Sequence, residues 1–494
     1  MSEAIGIENK EKVDFHSSNH LKLFSSNLLR LVQSLEELEV SDCGSLEVVF
    51  DVKIMDDREM QGRKTSQLKR LALSRLPNLK HIWNRDLPEI LSFKNLQVTK
   101  ITQCQSLKHL FSVSLCQDLQ QLQDLVIMSC GIEEIVAVEG EGLEELKFYF
   151  PRLTIFRLHF LMRFKRFYPG RHYLECPSLK TLDVFGCEGL EIFSFTHLDS
   201  RQTLMVGEDD MPIQQALFSL EKVSSNLKDL ALNEKDSIEI LNGHYEANLF
   251  HSLEVLGLQC FQETPVMLLN RFLEKFPNIK TLGVRYSSFK VFFPSNEAGY
   301  CGFRSPNQIK KLGLQKMEQL EQIWNDDSLT DVLEELIVLD CPSLTSLGPP
   351  SIAFTSLTSL QVMYCKRLTF LMTGSTAKTL VHLKQLWIRN CGMMEVVVMI
   401  NEGTPEEIKF ESLEYLEMTF LPSLKSFCSG KHTFVFPSLE MLKVRGCPRM
   451  QNFSSGVIIA PTITMEVENE TRHCAEDFNT TIKQLAMEQN QESL

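Results

Sequence analysis

Residues 34–50 read SLEELEVSDCGSLEVVF, and residues 438–453 read SLEMLKVRGCPRMQNF. Leucines, a valine and a cysteine fall at the same offsets near both ends of the chain. With the first stretch as a template, L-x-x-L-x-L/V/I/M recurs fifteen times, some copies degenerate. The copies begin at Leu35, Leu68, Leu96, Leu122, Leu153, Leu179, Leu227, Leu253, Ile279, Ile309, Leu333, Leu357, Leu383, Leu413 and Leu439. Steps between them run from 24 to 33 residues, apart from a single step of 48. The alternation in L-x-L is a strand pattern, because every second side chain of a strand shares a face. A fixed period longer than one helix or strand marks repeated supersecondary units that stack on one another.

Most steps lie at or just above the upper end of the leucine-rich-repeat period of about 20–29 residues. Eight residues after the first leucine stands Cys43, Cys104, Cys130, Cys187, Cys341, Cys365, Cys391 or Cys447. Leu76, Leu161 or Leu421 takes that place in three other copies, and Thr99 replaces the second leucine of the third. Apolar residues often follow at offsets 11 and 14, as Leu79 and Ile82, or Leu424 and Phe427. At the cysteine position the chain turns from the strand into the interior of the repeat. A small, poorly hydrated thiol tolerates burial there and donates weakly to a carbonyl of a neighbouring turn. The eight cysteines are therefore expected to form a buried structural ladder, not disulfides or metal ligands. One unit alone buries too little apolar surface to offset the ordering of its backbone, so the units must stack. The expected fold class is α/β, a leucine-rich-repeat solenoid shaped as a horseshoe or arc. Its concave face would carry a parallel β-sheet, and its convex side irregular or short helical segments.

Composition narrows the function. The 494 residues are 43% hydrophobic and 23% charged, which is a globular balance. A net charge of −14 argues against a general nucleic-acid binder, which presents a strongly basic face. No apolar run approaches the ~18 residues of a membrane span. The start, MSEAIGIENKEKVDF, has no apolar core of a signal peptide. The 14 cysteines then belong in a reducing compartment, and the expected location is cytoplasmic. The sequons at Asn452, Asn469 and Asn479 read as chance matches.

No G-x-x-x-x-G-K-[ST], G-x-G-x-x-G, H-E-x-x-H, G-x-S-x-G or C-x-x-C occurs. The 12 histidines do not cluster with acids, and Cys116, Cys176, Cys260, Cys301, Cys428 and Cys474 read as ordinary thiols. The expectation is a protein that is no enzyme, with no catalytic, cofactor-binding or metal residues.

The repeats divide the chain into a flank at 1–19, a first block at 20–193, an insertion at 194–224, a second block at 225–455 and a tail at 456–494. HLKLFSSNLLRLVQSL (20–35) resembles SLKHLFSVSLCQDLQQL (106–122), so residues 20–24 look like the end of a repeat whose strand lies upstream of the chain. Either the chain was cut from a longer array or residues 1–19 cap it; the half-repeat favours truncation. The insertion holds the acidic GEDDM (207–211), expected to be a mobile loop, and a short helix expected over QQALFSLEKV (214–223). The tail is polar, with an amphipathic helical piece expected around 477–489, and either caps the last repeat or is partly disordered.

Offsets 2, 4, 6 and 7 alternate away from the core and would line the concave face. Trp, Tyr and Arg dominate interface hot spots. Tyr364, Trp387, Arg389, Tyr415, Phe420 and Arg445 cluster on adjacent strands and form the candidate protein-binding patch. Arg285 and Tyr286, Arg157, His159 and Phe160, and Phe185 occupy equivalent places elsewhere. Glu37, Glu39 and Asp42 give the first copy an acidic strand surface, read mainly as a solvated face and otherwise as a dock for a basic partner.

Two unit types alternate. One reads LxxLxLxxLPxLKxIW, as in QLKRLALSRLPNLKHIW (67–83) and, loosely, QIKKLGLQKMEQLEQIW (308–324); the other reads LxxLxVxxCxxLxxLF, as in NLQVTKITQCQSLKHLF (95–111). A variant, QLQDLVIMSCGIEEIVAVEGEG (121–142), leads into FPRLTIFRLHFLMRFKRFYPG (150–170). This order resembles the C-terminal leucine-rich repeats of plant coiled-coil nucleotide-binding leucine-rich-repeat (NLR) disease-resistance proteins, over roughly residues 20–455. The ending EDFNTTIKQL (476–485) is similar to the tail such proteins carry. The resemblance implies a module of plant innate immunity that senses a pathogen effector or a modified host protein and restrains a nucleotide-binding switch. It does not imply nucleotide binding by these residues, because the family's P-loop and signalling coiled coil are not among them. The expected partner is a protein: an effector, a host target, or a nucleotide-binding domain in cis or in trans. The alternatives are a substrate adaptor of a ubiquitin ligase, for which residues 1–33 are too short to form an F-box-like segment, and an enzyme or small-molecule receptor.

Overall fold

The structure, a computed structural model, describes residues 12–52, 64–84, 91–138, 145–187, 190–194, 216–219, 226–242, 250–262, 271–294, 309–325, 330–400, 406–461, 463–467, 470–474 and 478–480. The chain divides into two compact units, Met1–Leu253 and Glu254–Leu494. Each is a parallel β-solenoid, and the leucine spacing sets its register. Within the first unit, Leu38 pairs with Leu71, and Leu71 with Thr99; each sits two strand positions before Val40, Leu73 and Ile101. Strands run in the same order through Asp124–Met128, Ile155–His159, Thr181–Phe185 and Asp229–Asn233. In the second unit the ladder runs Val255–Gln259, Thr281–Arg285, Lys311–Gln315, Glu335–Leu339, Ser359–Met363, Gln385–Arg389, Tyr415–Thr419 and Met441–Arg445. All of these pairings are parallel, as strands one full coil apart must be.

The strands begin earlier and end later than the leucine pattern indicates. Lys12–His16 pairs in parallel with Glu37–Ser41, so the strand expected upstream of the chain lies inside it, within the described part of the flank. Val13 aligns with Leu38, but Lys10 stands where the first leucine belongs, which hides the copy. At the other end Ile463–Val467 adds in parallel to Met441–Arg445, beyond the boundary at 455. Glu470–Cys474 then turns back antiparallel against it. Phe478 packs edge-on against Phe453, and the Asn479 Oδ1 accepts the N–H groups of Phe453 and Ser454 at 2.8 and 3.3 Å. The tail thus closes the last coil. Of the helix expected over 477–489, only residues 478–480 are described, and these are helical.

The reverse side of the coils holds more strand than the sequence reading foresaw. Lys22–Ser25, Val48–Asp51 and His81–Trp83 form one short parallel ladder, and Phe370–Thr373, Val396–Met399 and Ser426–Cys428 another. Short helices fill other turns. Val113–Asp118 and Gly374–Thr379 are capped by the hydroxyls of Ser112 and Thr373, which accept from the N–H of Leu115 and Thr376. Of the helix expected over 214–223, only residues 216–219 are described, and there Phe218–Ser219 pairs as a strand with Phe193–Ser194. The GEDDM segment lies outside the described residues. Behind the strands, aromatics at offset 14 or 15 of several repeats stack in files, Phe24 on Phe50 on Trp83 and Phe427 on Phe453.

One backbone feature recurs in almost every coil. The residue at offset 7 is left-handed: Ser17, Asp42, Arg75, Gln103, Ser129, Phe160, Cys260, Tyr286, Lys316, Asp340, Tyr364, Asn390, Phe420, and the glycines Gly186 and Gly446. Its N–H reaches across to the last carbonyl of the next strand, as Asp42 to Ser74 at 3.2 Å and Phe420 to Arg445 at 2.7 Å. This bond continues the ladder by one rung while the reversed φ turns the chain inward, which drops the following Cys or Leu into the core.

Candidate functional site

Seven of the eight ladder cysteines are buried, and Cys187 is half-buried; all are free thiols. Cys130, Cys187, Cys341, Cys391 and Cys447 lie within 3.5–3.9 Å of a carbonyl in the preceding coil, as Cys447 Sγ to Met418 O. Burial pushes the thiols of Cys187 and Cys341 up to about 12, so neither is a nucleophile at neutral pH. Among the described residues no group of three or more His, Cys, Asp or Glu side chains is placed to hold a metal ion.

The outward strand positions of the last four L-x-x-L repeats form one surface. Gln361, Trp387, Glu417 and Lys443 are successive partners in register, as are Ser359, Gln385, Tyr415 and Met441. The Trp387 and Tyr415 rings lie 5.7 Å apart between centroids at 46°. Beneath them sits Glu417, which the sequence reading did not single out. Only 3% of it is exposed, although its position alternates outward. Its carboxylate accepts from Arg389 Nη2 at 2.6 Å, Tyr415 Oη at 2.7 Å and Thr419 Oγ1 at 3.1 Å. Burial alone would raise its pKa, but these three donors outweigh it and hold the carboxyl below its ordinary value. Burial and the bond to Glu417 push the Tyr415 phenol up to about 12, and the bond to Glu417 raises Arg389 as well. One sign of this hub stands in the sequence, an acid diagonal to an arginine on the preceding strand.

Phe420 and Tyr364 occupy left-handed positions and are 47% exposed each. The Arg445 guanidinium lies over the Phe420 ring at 5.5 Å. Gly446 lets that ring lie flat: a Cβ there would stand 2.9 Å from it, and φ is +61°. Five of the six candidate residues therefore form two groups: Arg389 and Tyr415 join through Glu417 with Trp387 against the Tyr415 ring, and Phe420 joins Arg445. Tyr364 stands on the same row of turns.

The other sequence candidates are more self-contained. Arg157 Nε and His159 Nε2 lie 3.2 and 2.8 Å from Asp183 Oδ2. Phe160 meets Phe185 edge-on at 4.8 Å. Arg285 donates to Gln259 at 3.1 Å, and Lys316 lies 5.0 Å over Tyr286. In the first repeats, Asp42 is paired with Arg75 through two contacts of 2.5 Å, and His16 is 3.3 Å away. That pairing offsets the charge of Asp42 and does not involve Glu37 or Glu39.

Comparison with known proteins places the chain among others. A family model described as plant disease resistance protein RPS2-like, leucine-rich repeats, matches residues 7–131, 224–355 and 349–459. The Probable disease resistance protein RF9 of Arabidopsis thaliana is 27% identical over 180 residues, 36% of this chain and 16% of that protein. Among solved structures, a TLR13–ssRNA13 complex covers 91% of this chain and 83% of its own at 12% identity and a TM-score of 0.25. The plant peptide hormone receptor RGFR1 in complex with RGF2 covers 93% and 82% at 12% identity and a TM-score of 0.23. At such scores neither structural likeness bears on the site.

Proposed function

Since the chain belongs to the leucine-rich-repeat family of plant disease resistance proteins, we propose that it is a cytoplasmic, non-catalytic recognition module of plant innate immunity. It senses a pathogen effector or a modified host protein through the outward face of its strands. The observation that carries this reading is the Trp387–Tyr415 ring pair, seated on the buried Glu417 that also fixes Arg389. Tyrosine, tryptophan and arginine held in place before binding lose little side-chain entropy when a partner docks, which is what a hot spot requires. A nucleotide-binding domain, in cis or in trans, is the second partner of the proposal, because disease-resistance repeats of this family resemble those that restrain such a switch. The chain itself is proposed to bind no nucleotide.

The test replaces Trp387 and Tyr415 together by alanine. An effector or host protein recovered by affinity capture should lose binding on the order of several hundredfold, since two hot-spot truncations cost ~2 kcal/mol or more each and every 1.4 kcal/mol is tenfold. Thermal melting should stay within a few degrees of the parent. Unchanged binding with unchanged melting contradicts the proposal.

A further inference from the structure

The stretches that leave the strands Ser359–Met363, Gln385–Arg389, Tyr415–Thr419 and Met441–Arg445 read MYCKR (363–367), RNCGM (389–393), TFLPS (419–423) and RGCPR (445–449). They hold Lys366, Arg367, Arg389, Arg445 and Arg449 and no acid, in a chain of net charge −14. Most lysines on this unit's repeats are neutralised by a glutamate of the neighbouring coil: Lys310 by Glu334, Lys311 by Glu335, Lys425 by Glu395 and Lys443 by Glu466, all within 2.6–2.7 Å. Lys366, Arg367 and Arg449 are exposed and have no ion pair among the described residues. The same edge carries three large exposed apolar side chains, Tyr364, Met393 and Phe420. Tyr364 and Phe420 stand at the left-handed positions of their turns, and neither packs into the core.

We propose that this edge, from Tyr364 to Arg449, docks a short acidic segment of a partner protein that carries apolar side chains among its carboxylates. The proposal rests on the recognition reading above and adds to it the chemistry of the partner. Neighbouring coils stand about 4.8 Å apart, so three steps span roughly 14 Å, the reach of four or five residues of extended peptide. The basic side chains meet the carboxylates, and Tyr364, Met393 and Phe420 receive the apolar ones. Charge of this kind mainly sets the association rate and its salt dependence, while the apolar contacts hold the segment in place.

The probe is a phage-displayed random peptide library selected on the full chain, followed by fluorescence anisotropy with one labelled selected peptide. The expected peptides are net negative and contain an aromatic residue, and the measured affinity falls steeply with added salt. Arg367→Glu with Arg449→Glu should weaken that peptide about tenfold or more, with circular dichroism and melting unchanged. Replacing its acids by their amides should do the same. Neutral or basic peptides, an affinity untouched by the charge reversals, or tighter binding of polyuridylate RNA or phosphatidylserine vesicles to the same edge would each overturn the proposal. The effector assay separates the two readings. Loss with Trp387→Ala/Tyr415→Ala but not with the charge reversals leaves the recognition face standing and removes the acidic partner.

Discussion

Two places in the molecule use the same backbone device for different ends. At the Ile155–His159 and Thr181–Phe185 strands, Arg157 reaches Asp183 on the next strand, and a left-handed Phe160 is followed one coil later by a left-handed Gly186. At the Gln385–Arg389, Tyr415–Thr419 and Met441–Arg445 strands, Arg389 reaches Glu417, and Phe420 is followed by Gly446. The neighbours differ. In the first place His159 shares the carboxylate and Phe185 closes against Phe160, so the cluster is mostly satisfied by its own members. In the second, Thr419 and Arg445 stand at the positions of His159 and Phe185, and Tyr415 and Trp387 are added at the surface. The same turn leaves one surface closed and the other furnished with aromatics and positive charge. Architecture supplies the frame; a few outward residues decide whether it has anything to offer a partner.

The comparison can be broken most directly at its carboxylates. Glu417→Ala strands Arg389 and Tyr415 beside a void and should cost about 2–3 kcal/mol in denaturant unfolding, since hydrogen bonds to charged groups are worth ~1.5–3 kcal/mol. Asp183→Ala should cost less, because the Asp183 side chain is 14% exposed against 3% for Glu417 and its pair with arginine is longer, 3.2 against 2.6 Å. Equal losses would dissolve the distinction between the two places.

The glycines come next. Gly446→Ala and Gly186→Ala each place a Cβ in a left-handed turn and within 2.9–3.0 Å of a phenylalanine ring. Each should cost about 1–2 kcal/mol. Adding Phe420→Ala to Gly446→Ala should recover part of the loss in a double-mutant cycle; strict additivity would show that only the backbone resists.

The smallest effects are those of pH, and they run in opposite directions in the two units. The folded Glu417 holds its proton less tightly than its ordinary 4.5, so its contribution is complete above that value and is lost as pH falls through the folded one. Asp236 is the reverse. Burial raises it from 3.8 to about 7, against the pull of the Ile192 and Phe193 N–H groups, and one of its oxygens is buried without a partner among the described residues. The folded state therefore keeps that proton longer, and Asp236 weakens stability as pH rises from 3.8 to about 7. Asp236→Asn should raise the melting temperature at pH 8 and leave it nearly unchanged at pH 3, whereas Glu417→Gln should do harm at pH 8 and less at pH 3. The same sign for both variants would contradict the assignments.

Much of this was legible in the sequence. The leucine spacing fixed which residues pair, from Leu38 with Leu71 to Leu416 with Leu442, because a parallel coil admits no other register. Lys10 and Thr462 hid the first and last strands by standing where a leucine belongs, and neighbouring coils held the backbone in place regardless. The left-handed turn was invisible because its conformation is imposed by the ladder, and its residue type ranges from Asp42 to Phe420. Trp387 and Tyr415 were legible as outward aromatics. Glu417 was not, since alternation marks it as solvent-facing and only the diagonal crossing of Arg389 and the cover of Tyr415 bury it.

The central claim is that the C-terminal place recognises a partner and the N-terminal one does not. The measurement is the affinity of a captured effector or host protein for two variants in one assay, Trp387→Ala/Tyr415→Ala and Arg157→Ala/Phe160→Ala. The account predicts a loss on the order of several hundredfold for the first, as expected of paired hot spots, and less than about threefold for the second. Equal losses, or the reverse order, would contradict it.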